Sequence, residues 1–276
     1  GWAQMACCDV SLAQKMVTDS RINFFSFIGS AKVGWHLRSL LSPGTRMALE
    51  HGGAAPVIID KSADIDWLVP KLAKGGFYHS GQVCVSVQRV FILGEQIAEI
   101  ALKLGEHANN LTVGNAIYEK TECGPLIRNR EVDRVESWVD EACKGGGKLI
   151  AGGSKVSNSC YSPTVLLNPP EQAEVSKNEI FGPVISLYES KSLSEAVLRC
   201  NSLPFAFQAS IFSNDYSNIM QFFNSVDASA VMINDHTAFR VDWMPFAGRN
   251  QSGYGIGGIP YTMEDMTKVK MAVLSY

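Results

Sequence analysis

The chain has 276 residues with 46% hydrophobic and 18% charged side chains, enough apolar material for one large or two modest globular domains. A formal net charge of −3 gives no electrostatic reason to bind nucleic acid or an anionic membrane. No apolar run is long enough to span a bilayer, and Gly1–Gln4 lacks the basic start and apolar stretch of a secretion signal.

In chain order, residues 24–28 form a short apolar run that ends at Gly29-Ser30, and 32–41 then reads as a helix. Residues 46–49 and 57–59 read as two buried strands. Helical spacing follows over 64–78, with Ile65, Leu68, Leu72 and Phe77 on related faces. A strand at 89–93 precedes a helix from 96 to about 109. Another helix spans 130–144, carries Val132, Val135, Val139 and Ala142 as its apolar stripe, and stops at Gly145-Gly146-Gly147. Strands at 184–188, 209–212 and 230–233 are separated by helices at 193–201 and 216–224. This alternation predicts an α/β fold with a mostly parallel sheet. No internal repeat or low-complexity linker interrupts it. After Gly248 the glycines thicken, and residues 268–274 read as a terminal apolar strand with no hairpin partner, suited to pairing on a neighbouring subunit.

Seven scattered cysteines, with no metal-type spacing beyond the adjacent Cys7 and Cys8, predict reduced thiols in a cytoplasmic setting. One of them, Cys84, stands in Gly81-Gln82-Val83-Cys84-Val85-Ser86. A glutamate, Glu50, stands upstream in Leu49-Glu50-His51-Gly52-Gly53. Thiolate and carboxylate together suit covalent attack on a carbonyl carbon, followed by release through a base-activated water. A cysteine among valines equally suits a buried structural thiol, and an ordinary thiol is only a few per cent ionised at neutral pH. A helix starting after Gly81-Gln82 would supply the dipole that lowers its pKa. Glu50 also suits a solvated strand end, with Gly52-Gly53 making a sharp turn. Gly29-Ser30 closes a strand and opens a helix, a place for a phosphate or simply an N-cap. Glu179, in Glu179-Ile180-Phe181-Gly182-Pro183, could accept two ribose hydroxyls or face solvent at a turn.

These pieces occur in one order over nearly the whole chain. Phe27-Ile28-Gly29-Ser30-Ala31-Lys32-Val33-Gly34, Leu49–Gly53, Gly81–Cys84, Glu179–Pro183 and Met244-Pro245-Phe246-Ala247-Gly248 followed by Ser252-Gly253 resemble the aldehyde dehydrogenase superfamily. The resemblance, nearest to lactaldehyde and semialdehyde members, implies NAD(P)-dependent oxidation of an aldehyde. Cys84 becomes the nucleophile and half of an oxyanion hole through its N–H, with Glu50 as the general base. Gly29, Ser30 and Gly34 fall near the cofactor pyrophosphate, Glu179 and Phe181 at the nicotinamide ribose. In the segment 235–246, Arg240 is placed to bind an anionic or hydroxylated aldehyde, with Tyr78 and Phe246 as aromatic walls; an ion pair of Arg240 with Asp235 or Asp242 is the competing arrangement.

The resemblance also implies a division into 1–52 (end of a dinucleotide-binding domain), 53–248 (catalytic domain) and 249–276 (return segment and oligomerisation strand), in a homodimer or homotetramer. No metal is implied. Family members often carry leucine at His51, asparagine at His79 and glycine at Ala247; the resemblance would put His51 near the nicotinamide. In the family a long region precedes Gly29, with the first strands of the dinucleotide domain and the asparagine that supplies the second oxyanion donor. Those positions have no counterpart among these residues, so turnover is expected to be impaired. Cofactor-independent ester cleavage at Cys84, or a non-catalytic assembly role, are the competing functions.

Overall fold

The computed structural model describes residues 1–276. Its first part holds α1 (Val10–Val17), β1 (Phe24–Ile28), α2 (Ala31–Leu40) and β2 (Arg46–Glu50). The middle runs β3 (Pro56–Ile59), α3 (Ile65–Phe77), β4 (Arg89–Leu93), α4 (Ile97–Asn110), α5 (Asn129–Lys144), β5 (Lys148–Ala151), β6 (Thr164–Leu167), α6 (Glu174–Lys177) and β7 (Val184–Ser190). There follow α7 (Leu193–Cys200), β8 (Phe205–Ala206), β9 (Gln208–Phe212), α8 (Tyr216–Ser225), β10 (Ala230–Ile233), β11 (Arg249–Asn250), β12 (Gly253–Tyr254) and α9 (Ile259–Asp265).

Seven strands form the main sheet in the order β10-β9-β3-β4-β7-β6-β5. Every neighbouring pair is parallel except β5 and β6. A parallel sheet is covered on both faces, so its central strands are apolar throughout rather than alternating. β3 shows this: Val57, Ile58 and Ile59 are all fully buried. Val57 and Ile59 face Leu68, Leu72 and Phe77 of α3 and Leu104 of α4. Ile58 points the other way, onto Ala196 of α7 and Phe222 of α8. The period-2 side-chain geometry of one strand thus feeds two separate cores. The stripe of α5 closes a third core with Leu166 and Val184.

A smaller sheet, β1-β2-β12, holds the end of the first part. β1 and β2 are parallel, with Ile28 opposite Glu50, and β12 adds antiparallel on the far side of β2 with Gly253 opposite Glu50. The residues after Gly248 therefore return to the first sheet. Residues 268–274 form no strand here; Val269, Met271, Val273 and Leu274 are exposed. A strand needs a partner edge, and this chain folds none against the segment.

The elements with long apolar periodicity lie where the sequence puts them. Several short ones have no counterpart in the pattern: α1, β5, β6, α6, β8, β11, β12 and α9. β8, β11 and β12 have two residues each, too few to show a period, and exist because a neighbouring strand is there to pair with. Thr164–Leu167 carried a legible signal, two β-branched residues and two leucines after a proline.

Candidate active site

The loop that carries Cys84 is strained into shape. His79 (φ 49°), Ser80 (φ 57°) and Gly81 (φ 68°) form three consecutive left-handed residues, which L-residues adopt only when their surroundings enforce it. The enforcement is visible. Ser80 Oγ donates to the Gly124 carbonyl at 2.7 Å. The Gln82 amide donates to the Pro125 carbonyl at 3.2 Å and accepts the Ile127 N–H at 2.9 Å. Past the cysteine, Thr237 Oγ1 donates to the Val85 carbonyl at 2.7 Å. A side chain at Gly81 would overlap the Gly182 carbonyl, so this glycine is required for space as well as for its backbone angle. None of these anchors carries a local sequence signal, because each partner is distant along the chain.

Glu50 ends β2 and faces the thiol. Cys84 Sγ lies 3.8 Å from Glu50 Oε1, with the thiol as donor. Gly52 and Gly53 serve a different purpose from the sharp turn expected of them. Neither has a positive φ. A Cβ on Gly52 would overlap the Glu179 carboxyl, and one on Gly53 would stand 3.2 Å from Phe205 Cβ. These glycines admit neighbours.

The electrostatics correct a second expectation. No helix starts after Gln82; residues 82–88 form a turn closed by Ser86 N–H on the Val83 carbonyl at 3.0 Å. The thiol therefore has no helix dipole to lower its pKa. Burial pushes Cys84 up to about 12, with the charges of Glu50 and Glu179 adding to it. Glu50 is itself raised by burial, against the opposing pull of the Arg240 guanidinium and the Cys84 thiol. A raised carboxylate is a stronger base, held against the proton it would take.

Glu179 turns its carboxyl onto the Gly53 N–H at 3.2 Å. Burial pushes it up to about 7, with the Gly53 hydrogen bond and the Arg134 charge opposing. Its folded-state value lies above the unfolded one, so the unfolded chain loses this proton first as pH rises. The contribution to stability is full below about 4.5 and is lost as pH climbs to about 7. Glu179→Gln is expected to remove that decline, leaving a variant more stable than the parent at pH 8. Chemical denaturation at a series of pH values checks this; parallel profiles would mean an ordinary carboxyl. Phe181, at φ 45°, is exposed beside it. Both border a small crevice with Gly53, Gly81 and Val83.

A cavity of about 160 Å³ is lined by Glu50, Arg240, Phe246, Ile28 and Gly257. Tyr78 and Cys84 pack against Phe246 in a small apolar cluster with Val85, Phe207 and Ala238. The Arg240 guanidinium stands 4.2 Å over the Phe246 ring. The ion pairs considered for Arg240 do not form: Asp235 is taken by Lys71 at 3.0 Å, and Asp242 makes no ion pair. A larger cavity, about 590 Å³, lies farther along the small sheet around Arg46, Tyr261 and Asp265; neither Cys84 nor Glu50 lines it. The structure thus brings Cys84, Glu50, Tyr78, Phe246 and Arg240 to one place.

Next to Glu50, at the end of β1, Ser30 opens α2 without a side-chain cap, leaving the first helical N–H groups unspent. Gly29 and Ser30 are exposed, whereas Gly34 is buried beneath the His51 ring. His51, which the resemblance puts near the nicotinamide, is shut under this turn with its ring against the Gly29 carbonyl. All seven cysteines are free, no cluster of His, Cys, Asp and Glu could hold a metal ion, and no helix is long and apolar enough to cross a membrane.

Residues 8–272 match the profile of the aldehyde dehydrogenase family. The chain belongs to that family. Among curated aldehyde dehydrogenases, it is 34% identical over 265 residues to the 3-sulfolactaldehyde dehydrogenase of Priestia aryabhattai, covering 96% of this chain and 55% of that protein. It is 38% identical over 263 residues to the lactaldehyde dehydrogenase of Methanococcus vannielii, covering 95% and 56%. The glyceraldehyde-3-phosphate dehydrogenase of Methanocaldococcus jannaschii, solved with NADP, superposes with a TM-score of 0.90 at 34% identity, covering 94% of this chain and 56% of that one. The chain spans about half the length of the curated relatives it matches.

Proposed function

We propose that this chain carries the nucleophile and base for NAD(P)-dependent oxidation of an aldehyde to a carboxylic acid. The observation that carries the reading is the 3.8 Å approach of Cys84 Sγ to Glu50 Oε1 beside a cavity. A thiol raised this far is not an ionised nucleophile at neutral pH. Attack on the aldehyde carbon is therefore coupled to transfer of the thiol proton to Glu50, giving a thiohemiacetal. The Cys84 N–H makes no hydrogen bond to a carbonyl and is free to donate to the developing oxyanion. Bound NAD(P)+ would supply the acceptor for the hydride lost from that carbon. Glu50 returns its proton to solvent through the cavity and then takes one from the water that hydrolyses the thioester.

The residues fit a dinucleotide. The uncapped start of α2 at Gly29-Ser30 suits a pyrophosphate, with Gly34 behind it. Glu179 and Phe181 suit the nicotinamide ribose, Glu179 leaving the Gly53 N–H to accept its hydroxyls. The fit is supported by the NADP bound in the Methanocaldococcus relative. Aldehyde-dependent formation of NAD(P)H, with the matching acid as product and loss of both on alkylation of Cys84, tests the reading. Acid formation without NAD(P)+, or turnover by the alkylated chain, sinks it.

The substrate we propose is a short aldehyde bearing an anionic or hydroxyl group, with Arg240 as its anchor and Tyr78 and Phe246 as walls. Arg240 makes no ion pair, though its charge reaches Glu50 across the cavity, and two relatives are named for lactaldehyde and sulfolactaldehyde. Arg240→Leu should lower kcat/KM for an anionic aldehyde by about 10- to 100-fold, the worth of a charged hydrogen bond, and leave a neutral aldehyde within about threefold. Equal losses on both would remove Arg240 from substrate recognition. We further propose the division 1–52, 53–248 and 249–276, with the exposed apolar residues of 268–274 pairing on a second copy in a dimer or tetramer.

A further inference from the structure

We propose that His51 is a positioning residue which, as the neutral tautomer protonated on Nδ1, ties the turn that opens α2 to the strand end bearing Glu50. His51 Nδ1 lies 2.8 Å from the Gly29 carbonyl oxygen. A carbonyl only accepts, so the proton of that bond belongs to Nδ1. The Gly29 N–H donates in turn to the Glu50 carbonyl at 3.1 Å. Both backbone groups of Gly29 are thus held by two consecutive residues, the base and its neighbour. The His51 N–H donates to the Ser252 carbonyl at 2.9 Å, which anchors the same point to the late turn. A displacement of Gly29 therefore displaces the end of β2, and with it Glu50. Leucine could fill this space but would hold only one of the two bonds.

The rest of the ring accepts no proton. The side chain is 1% exposed and its Nε2 has no partner. It lies against Gly34, where a Cβ would overlap the ring, between Phe27 of β1 and Trp35 of α2, each with its centroid 5.9 Å away. None of the groups facing the imidazole from β1, α2 or the Ser252 turn is charged. Lys32, His36 and Arg38 of α2 are exposed, Tyr254 of β12 is exposed, and Glu50 points to Cys84. A second proton would put an N–H donor where no acceptor stands, and burial accordingly lowers the pKa of the ring.

The role in cofactor binding rests on the reading of Gly29-Ser30 as the dinucleotide turn; the mechanical link does not. In the unsubstituted chain, imidazole 15N shifts should show the Nδ1–H tautomer, with the ring uncharged at neutral pH and titrating below the ordinary imidazole range. In His51→Leu, hydrogen exchange at the Gly29 and Gly34 amides should accelerate about tenfold, the worth of one hydrogen bond. The KM for NAD(P)+ should rise by more than kcat falls. His51→Asn, whose Nδ2–H takes the place of Nδ1–H, should restore both. An Nε2–H tautomer, or equal exchange in the leucine and asparagine variants, overturns the proposal. Absence of NAD(P)+ binding by the unsubstituted chain would instead fell the dinucleotide reading, with tautomer and exchange still deciding the part played by His51.

Discussion

Replacing Cys84 by alanine is expected to lower aldehyde oxidation by roughly 10⁴- to 10⁶-fold relative to the unsubstituted chain, the scale on which loss of a covalent nucleophile is felt. No other group can take its place. Cys123 is buried and its thiol donates to Ser80 Oγ at 3.5 Å, on the inner side of the left-handed turn. Cys7 and Cys8 are exposed ahead of α1, and Cys8 lines a different cavity from the one Glu50 lines. Steady-state rates with excess aldehyde and NAD(P)+ measure the effect, and a variant within tenfold of the parent would end the covalent mechanism. The raised thiol gives this prediction a second readout. In the cofactor-free chain, alkylation of Cys84 should be slow at neutral pH and still climbing above pH 9, whereas Cys7 and Cys8 react sooner. Peptide mapping separates them.

Glu50→Gln should produce two changes of opposite sign. Turnover should fall on the order of 10²- to 10⁴-fold, because an amide cannot accept the proton of the thiol or of the hydrolytic water. Alkylation of Cys84 should accelerate, because the substitution removes a negative charge that holds the thiol up. A residue that merely packs beside the sulfur would move neither in this way, and one that only stabilised the fold would lower both. Burial raises the Glu50 carboxyl, so the acid limb of the pH–rate profile should lie above the ordinary carboxylate range. Arg240 opposes that rise, and Arg240→Leu should move the limb farther up. A limb at the ordinary carboxylate position, or a turnover in Glu50→Gln within threefold of the parent, would remove Glu50 from the role of base.

The amino-acid sequence was sufficient for the larger architecture. Central strands such as 57–59 and 90–93 are apolar on both faces, and helices such as 130–144 repeat their apolar residues at helical spacing. Hydrophobic burial is local in its grammar, so these elements could be read without knowing their partners. The residue types around Glu50 and Cys84 likewise pointed to the proposed nucleophile and base, because a thiol and a carboxylate limit the chemistry available to them.

What the sequence could not carry was every property set by residues distant along the chain. The Cys84 thiol is raised by burial first and then by the charges of Glu50 and Glu179, which reach it from two other segments, and no reading of residues 81–86 contains either effect. The glycines at 52 and 53 exist for Glu179 and Phe205, the left-handed turn at 79–81 for Gly124 and Gly182, and Gly34 for His51. The two-residue strands appear only because an edge is waiting. Local spacing selects helix and strand; close approach and electric field are sums over space, and they are defined only once the chain has folded.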